Sequence, residues 1–360
     1  MNKKGAYVIV GAQWGDEGKG LISAYITARE GSRLVARAGT GANAEHGIFL
    51  RDKLTYLKVN QLPLGWMFNP NCEIRIGSGV CVDPVKLISE SERYGLKDRV
   101  KIDFRCPIIT PEHIIHERNS KGMSSIGSTF SGTGFCRADA VLRKGRRAVD
   151  IPALKEYLVD LGNEINNLCE EGIATVESSQ GFGLGLYTST DYPNCTSDNV
   201  SSVAAADDVL LSWKNIKEVI MVVKALPTRE GAGSFGNANE LEGDYVKKHK
   251  MDEPSSIGGV QRRKADCIDF ELLRYATKIN GATQIALTFC DHYDKSVDGA
   301  IKPDEITDKV WNLIDKIQLE TKVPVTILNT GKSYDNIVDL STNDKLDWEK
   351  INNNIMKMKG

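Results

Sequence analysis

Apolar positions along this chain fall in short unbroken runs, separated by stretches in which they recur every third or fourth residue. Runs of the first kind occupy 6–11, 34–37, 73–76, 174–177, 219–224, 285–289 and 323–328. Short continuous runs of this type predict strands buried on both faces. The helical spacing predicts helices over 84–94, 151–170, 270–279 and 303–319, with a further helix opening near Gly18. Alternation of the two patterns predicts an α/β fold, an open and mainly parallel central sheet with helices on both faces. Glycine-rich stretches at 39–47, 126–134, 181–185 and 230–236 fall after or between the strands. In open α/β sheets such loops gather at the carboxyl ends of the strands, where ligands bind. No repeat or internal boundary is visible, so a single catalytic domain is expected over residues 1–340. A polar tail, loosely held, follows at 341–360.

Composition narrows the function classes. Of 360 residues 41 % are hydrophobic, enough for a large core, and the net charge is −2. A balance this even argues against nucleic acid or an anionic membrane as partner. No apolar stretch approaches the ~18–20 residues of a membrane span. The apolar run at 6–11 is too short for a secretory leader, so a cytoplasmic location is expected, in a host cell if the source is viral. The eight cysteines form no C-x-x-C pair and do not cluster with the five histidines. Reduced thiols are therefore expected, and no zinc site.

The first strand runs straight into GAQWGDEGKG at 11–20. Gly15, Gly18 and Gly20 let backbone N–H groups approach phosphate oxygens, and Lys19 adds a positive charge. The spacing departs from a Walker A loop, with Gln13 and Gly20 where that pattern needs Gly and Ser or Thr. It also departs from the G-x-G-x-x-G of dinucleotide enzymes. A carboxylate, Asp16, stands inside this anion loop. It makes chemical sense as a magnesium ligand or as a base, the alternative being a glycine turn with a solvated Asp–Glu pair.

QWGDEGKG at 13–20 is similar to the signature of adenylosuccinate synthetases. Further resemblances follow in the family's order: GANAEH at 41–46, IGSGV at 76–80, IGSTFSGTG at 126–134 with Arg143 beyond it, ESSQG at 177–181, YPNCT at 192–196, KALPTREGAG at 224–233, QRRK at 261–264, LTFCD at 287–291 and Thr330-Gly331. The resemblance spans roughly 7–332. It implies a Mg²⁺-dependent ligase that phosphorylates O6 of a 6-oxopurine nucleotide and then joins L-aspartate at C6. Asp16 would be the base for the N1 proton and, with Glu45, a metal ligand; His46 would stabilise charge on the transferring phosphoryl group. The triphosphate (ATP or GTP) would lie on Gly15, Glu17, Gly18, Lys19 and Gly20, with its base near Phe289, Asp291, Asn329 and Gly331. The purine monophosphate (dGMP or IMP) would contact Asn43, Ser128, Thr129, Ser178, Ser179, Gln180, Thr196 and Gln261. Arg143 would reach its phosphate from the other subunit of a homodimer. Gly258, Gly259 and Arg263 would take the aspartate, leaving Arg262 and Lys264 as surface charge.

The departures from the family pattern concentrate at these contacts. Gln261 replaces an arginine near the ribose, which fits a nucleotide without a 2′-hydroxyl. Ser178 and Ser179 replace Gly-Ala beside Gln180 and offer acceptors to a 2-amino group, which guanine carries and hypoxanthine lacks. Leaving that group unpaired would cost ~1–3 kcal/mol, enough to set specificity. Phe289 replaces the lysine that covers guanine in the donor, although Asp291 remains. These departures resemble the viral branch that makes aminoadenine precursors for DNA: ATP, dGMP and L-aspartate giving ADP, phosphate and the N6-succinyl-2-aminodeoxyadenylate. Ordinary ligation onto IMP with GTP is the near alternative. A nucleotide switch protein would have no use for Asp16 and His46.

Overall fold

A computed structural model describes residues 3–249, 251, 253, 262–342 and 346–358. Fourteen strands are present among them: β1 (Gly5–Gly11), β2 (Leu34–Arg37), β3 (His46–Phe49), β4 (Tyr56–Val59), β5 (Glu73–Ile76), β6 (Val100–Asp103), β7 (Leu158–Val159), β8 (Ile173–Gly181), β9 (Ile216–Lys224), β10 (Thr228–Arg229), β11 (Arg263–Lys264), β12 (Gln284–Thr288), β13 (Val325–Asn329) and β14 (Ile337–Asp339). Ten form one sheet in the order β14-β13-β12-β9-β1-β8-β2-β5-β6-β7. Every pairing in it is parallel except β13 with β14. The expected α/β architecture is thus present, with β14 as an antiparallel edge. Two short ribbons, β3–β4 and β10–β11, stand off the sheet.

Burial explains why the strand runs are continuous rather than alternating. Successive side chains point to opposite faces, and here each face meets its own core. Ala6, Val8 and Val10 of β1 pack on one side with Leu161, Ile165, Leu273, Val310 and Ile314. Tyr7 and Ile9 pack on the other with Ile22, Tyr25, Ile26 and Leu87. β9 divides in the same way, Val219, Met221 and Val223 against Ile220 and Val222. Helices Leu161–Glu171, Phe270–Asn280 and Asp308–Thr321 therefore cover one face, and Lys19–Arg29 and Pro84–Arg93 the other.

Two expectations need correction. The helix read over 151–170 is a 3-10 segment at Pro152–Tyr157, then β7, then a helix only from Leu161. Pro152 sets the first turn, and the pairing of Leu158 with Ile102 draws the chain into the sheet. The polar tail is not loose where it is described. Residues Trp348–Lys357 form a helix whose Ile351 and Ile355 are buried. Trp348 stacks near Tyr25 and meets Phe68 edge-on, with ring centres 6.1 and 5.7 Å apart. Among the described residues no helix is long and apolar enough to cross a membrane, and all eight cysteines are free.

Candidate active site

Because the strands run parallel, β1, β2, β8, β9, β12 and β13 end on the same side, and the loops leaving them wall a cavity of about 950 Å³. The loop after β1 is wound around Glu17. This fully buried carboxylate accepts the N–H of Gln13 at 3.1 Å and of Gly15 at 3.0 Å, and meets Lys19 Nζ at 2.5 Å. Burial disfavours its charge, but Lys19 and the loop N–H groups outweigh burial and hold it below the usual carboxylate value. A Cβ at Gly181 would lie 2.3 Å from Glu17 Oε1, and one at Gly11 2.5 Å from Oε2, so both positions require glycine. Gly18, at φ 86°, turns the chain into helix Lys19–Arg29.

Asp16 holds a left-handed backbone at φ 59° and lines the cavity. Its Oδ2 faces Arg262 Nε at 3.0 Å, and the same nitrogen lies 3.1 Å from Glu230 Oε1. Burial pushes the Asp16 carboxyl up to about 6, with Arg262 pulling the other way and Glu230 reinforcing the rise.

His46 opens β3 and is held from behind by buried charges. Its Nδ1 lies 2.6 Å from Glu177 Oε1, and Arg37 donates to the same carboxylate at 2.6 Å. Burial, assisted by Arg37, pushes His46 down to about 4. Glu177 stays ionised despite burial, near 2, because His46 and Arg37 surround it. His46 is therefore neutral; its Nδ1 stands between the Glu177 carboxylate and the Arg37 guanidinium, and its Nε2 faces the cavity, where the Ser179 carbonyl is 3.3 Å away.

A polar ladder stands beside His46. Thr196 Oγ1 meets Thr40 Oγ1 at 3.0 Å, Thr40 donates to Gln180 Oε1 at 2.9 Å, and Gln180 Nε2 donates to Asn43 Oδ1 at 3.1 Å. The Ser179 hydroxyl donates to Ala38 O at 2.7 Å. Beyond the ladder the 127–132 loop is tied to buried Glu117, which accepts from Ser128 Oγ at 2.6 Å and from the Gly132 N–H. At the other end of the cavity Phe289, also left-handed at φ 55°, has Lys224 Nζ 4.0 Å from its ring centre. Its N–H donates to Asn329 at 3.2 Å, and buried Asp291 lies in the same wall, with Gly331 nearby.

The fold thus gathers Gly15, Asp16, Glu17, Gly18, Lys19, Gly20, Asn43, Glu45, His46, Ser128, Thr129, Ser179, Gln180, Thr196, Phe289, Asp291, Asn329 and Gly331 around one cavity. Three expected residues stand elsewhere. Ser178 is buried outside the lining, and Arg143 is exposed at φ 61° beyond helix Thr133–Val141. Arg263 turns to Glu240 and to the carbonyls of Gly231 and Gly233. Gly258, Gly259 and Gln261 lie outside the described residues. Arg262 and Lys264 correct the reading of both as surface charge: Arg262 lines the cavity and Lys264 is buried. Their places around β11 explain this: Arg262 immediately precedes the strand and Lys264 ends it, so Lys264 points to the face opposite Arg263 and Arg262 enters on that same side. Glu45, expected at a metal, pairs with Lys58 at 2.8 Å.

Glycine-lined phosphate loops, a carboxylate inside one of them and a charge-backed histidine, all at the carboxyl edge of a parallel sheet, define a nucleotide-dependent phosphoryl-transfer enzyme. The adenylosuccinate synthetase family profile matches residues 8–153 and 151–302. The adenylosuccinate synthetase of Thermococcus sibiricus is 38 % identical over 343 residues, covering 94 % of this chain and 99 % of that protein. The fold is similar to that of fully ligated adenylosuccinate synthetase from Plasmodium falciparum, with a TM-score of 0.80, 22 % identity and coverage of 92 % and 99 %. It is also similar to cyanophage S-2L succinoaminodeoxyadenylate synthetase, solved with dGMP and with dATP as energy donor, at a TM-score of 0.78, 21 % identity and 99 % of both chains. The chain belongs to the adenylosuccinate synthetase family, carbon–nitrogen ligases that act on a nucleoside triphosphate, a purine mononucleotide and aspartate.

Proposed function

We propose that this enzyme ligates L-aspartate to C6 of dGMP with ATP as donor, releasing ADP and phosphate. The observation that carries the reading is Ser179. Its hydroxyl proton is committed to the Ala38 carbonyl, so this cavity-lining residue has acceptor oxygens to offer, its own carbonyl beside His46 Nε2 among them. Such an oxygen accepts from an N–H, which the 2-amino group of guanine supplies and hypoxanthine does not. Phe289 in place of the family's lysine favours ATP over GTP, and Gln261 favours a deoxyribose. A second reading, IMP with GTP, is favoured by Asp291, whose buried carboxylate suits the two donors of guanine in the triphosphate.

In this scheme Asp16, mostly ionised at pH 7 with its carboxyl near 6, takes the N1 proton as O6 attacks the γ-phosphoryl group. Asn43 and Gln180 hold the N1–O6 edge, fixed against each other by their shared hydrogen bond. Phosphate charge arriving at His46 Nε2 would raise its affinity for a proton, and the imidazolium, neutralised by Glu177, would donate to the transferring group. The aspartate amine then displaces phosphate from C6. The donor set fits Mg²⁺: the Asp16 carboxylate, set in the glycine loop that would bind phosphate, matches an ion held by one or two carboxylates and substrate phosphates. The ion would neutralise charge on the phosphates. Arg143 would complete the phosphate site from a second subunit, and exposed Val141 and Leu142 beside it supply apolar surface for that contact.

The test is a product assay by mass spectrometry with Mg²⁺, L-aspartate, ATP or GTP, and IMP, GMP and dGMP in equal amounts. A succinylated product from dGMP, favoured with ATP, is expected. A product from IMP alone, with GTP, would overturn the reading.

A further inference from the structure

Beneath the cavity lies a cluster of charges built on Glu253. Its Oε2 accepts from Lys224 Nζ at 2.6 Å and its Oε1 from Lys264 Nζ at 2.7 Å. Arg262 Nη1 stands 3.6 Å away and His292 Nδ1 3.5 Å. Both lysine side chains are fully buried and the carboxylate nearly so. Buried charges persist only when paired. Here Lys224, Lys264 and Arg262 balance Glu253 with Asp16 and Glu230, the two carboxylates on the far side of Arg262.

Two arms leave this carboxylate. One runs through Arg262 to Asp16, and a backbone bond from Arg262 N to Glu253 O at 3.2 Å braces it. The other runs through Lys224 to the Phe289 ring, 4.0 Å away, and through Lys264 and His292 toward Asp291. Lys264 donates to His292 Nδ1 at 2.9 Å, so the imidazole is neutral and its Nε2–H faces Asp291 Oδ2 at 4.0 Å. Burial pushes Lys224 down to about 8 although Glu253 opposes the shift, which marks how far the lysine depends on that carboxylate.

We propose that Glu253 is a positioning residue: one buried carboxylate holds Arg262 against Asp16 and Lys224 beneath Phe289, setting the phosphoryl-accepting and donor-base ends of the cavity together. The proposal rests on the roles given above to Asp16 and Phe289. Replacing the carboxylate by an amide leaves two buried ammonium groups repelling each other and frees Arg262 to shift. A displacement of about 1 Å at a catalytic group costs about 10²-fold in rate.

The experiment compares the full-length wild type with E253Q, R262Q and the double variant. With Mg²⁺ and L-aspartate present, kcat and the donor KM are measured on the mononucleotide the wild type uses. Titration calorimetry with ATP and Mg²⁺ alone reads donor binding without turnover, and so tests the Lys224 arm independently of the substrate assignment. E253Q is expected to lose about 10²-fold in kcat and to bind ATP about 10-fold more weakly, a factor equal to ~1.4 kcal/mol. R262Q should lose kcat while binding ATP like the wild type, and the double variant should lose little more kcat than R262Q, as for residues acting through one contact. Losses in kcat that multiply would overturn the proposal. So would an E253Q protein with unchanged ATP binding and kcat and only a lower melting temperature. If E253Q does not fold, E253D takes its place in the same comparison, since it keeps the charge and shortens the reach.

Discussion

The Glu177→Gln substitution tests how the His46 side of the site is held. Glu177 and Arg37 are both fully buried, and Arg37 Nη1 donates to the carboxylate at 2.6 Å. Arg37 has little else to turn to: its Nε already lacks a partner, and Glu90, the other carboxylate near it, is committed to the N–H groups of Asn60, Gln61 and Leu62. Glutamine keeps the volume and an acceptor for the Leu64 N–H, which Glu177 Oε2 receives at 2.9 Å. What it removes is the charge. Leaving one partner of a buried ion pair uncompensated costs about 3–5 kcal/mol. With an unfolding entropy of ~2.1 cal/mol/K per residue, the 360 residues give ~0.76 kcal/mol/K, so the melting temperature should fall by about 4–7 °C at pH 7.

The pH dependence separates charge from packing. Glu177 is held near 2, below its ordinary 4.5, so between these values the unfolded chain binds the extra proton. Its stabilisation is present above pH 4.5 and is lost as pH falls toward 2. His46, pushed from 6.5 to about 4, also gains its proton on unfolding, so it too makes stability fall with pH, between 6.5 and 4. The variant removes the Glu177 part, and the loss of that carboxylate lowers His46 further, which leaves the imidazole neutral in both proteins from pH 7 to about 5. Differential scanning calorimetry should therefore show the gap between wild type and Glu177→Gln constant from pH 7 to about 5, then narrowing toward pH 3. A gap below about 1 °C at pH 7, or one that does not narrow on acidification, would refute the assignment of this carboxylate as the counter-charge of Arg37.

Asp16→Asn should lower turnover by at least about 10²-fold with ATP binding retained in calorimetry, and near-normal activity would sink the base assignment. Gly181→Ala places a methyl 2.3 Å from Glu17 Oε1. It should cost about 1–3 kcal/mol and weaken donor binding; unchanged binding would show that the loop does not depend on Glu17 for its shape. Trp348→Ala, which removes the ring packed on Tyr25, Phe68 and Tyr334, should cost about 3 kcal/mol in thermal unfolding without changing kcat. An unshifted melting curve would return the last segment to a loose tail.

Most of the frame was legible because its signals are local. The apolar runs at 34–37 and 73–76 coincide with β2 and β5, and the glycine loops fall at strand ends as the parallel order requires. The misread helix at 151–170 shows where local pattern stops deciding. Leu154, Leu158, Leu161 and Ile165 keep a helical spacing, yet β6 offers an open edge that captures Leu158 and Val159. The last helix was missed for a different reason. Trp348, Ile351 and Ile355 lie at helical spacing, but polar residues outnumber them, and only packing on Tyr25 and Phe68 makes the segment fold.

In the site the same division holds with more consequence. Asp16, His46, Asn43 and Gln180 sit in spacings that carry their chemistry. Arg262 and Arg263 are adjacent and chemically identical, so sequence gives no reason to choose between them. The choice is made by the pairing of Arg229 with Arg263 in the β10–β11 ribbon, which fixes the face each residue presents. Glu253 carries no motif at all. It becomes significant because β9 and β11 each bring an ammonium group to it and the turn after β12 an imidazole, from positions 224, 264 and 292. A charge whose partners are distant in the chain leaves no local signature, and such charges set the electrostatics on which the local motifs depend. The residues to which the chemistry is assigned were therefore legible in the sequence, and those proposed to tune it, Arg37, Glu177, Arg262 and Glu253, came into view once the fold had brought their partners together.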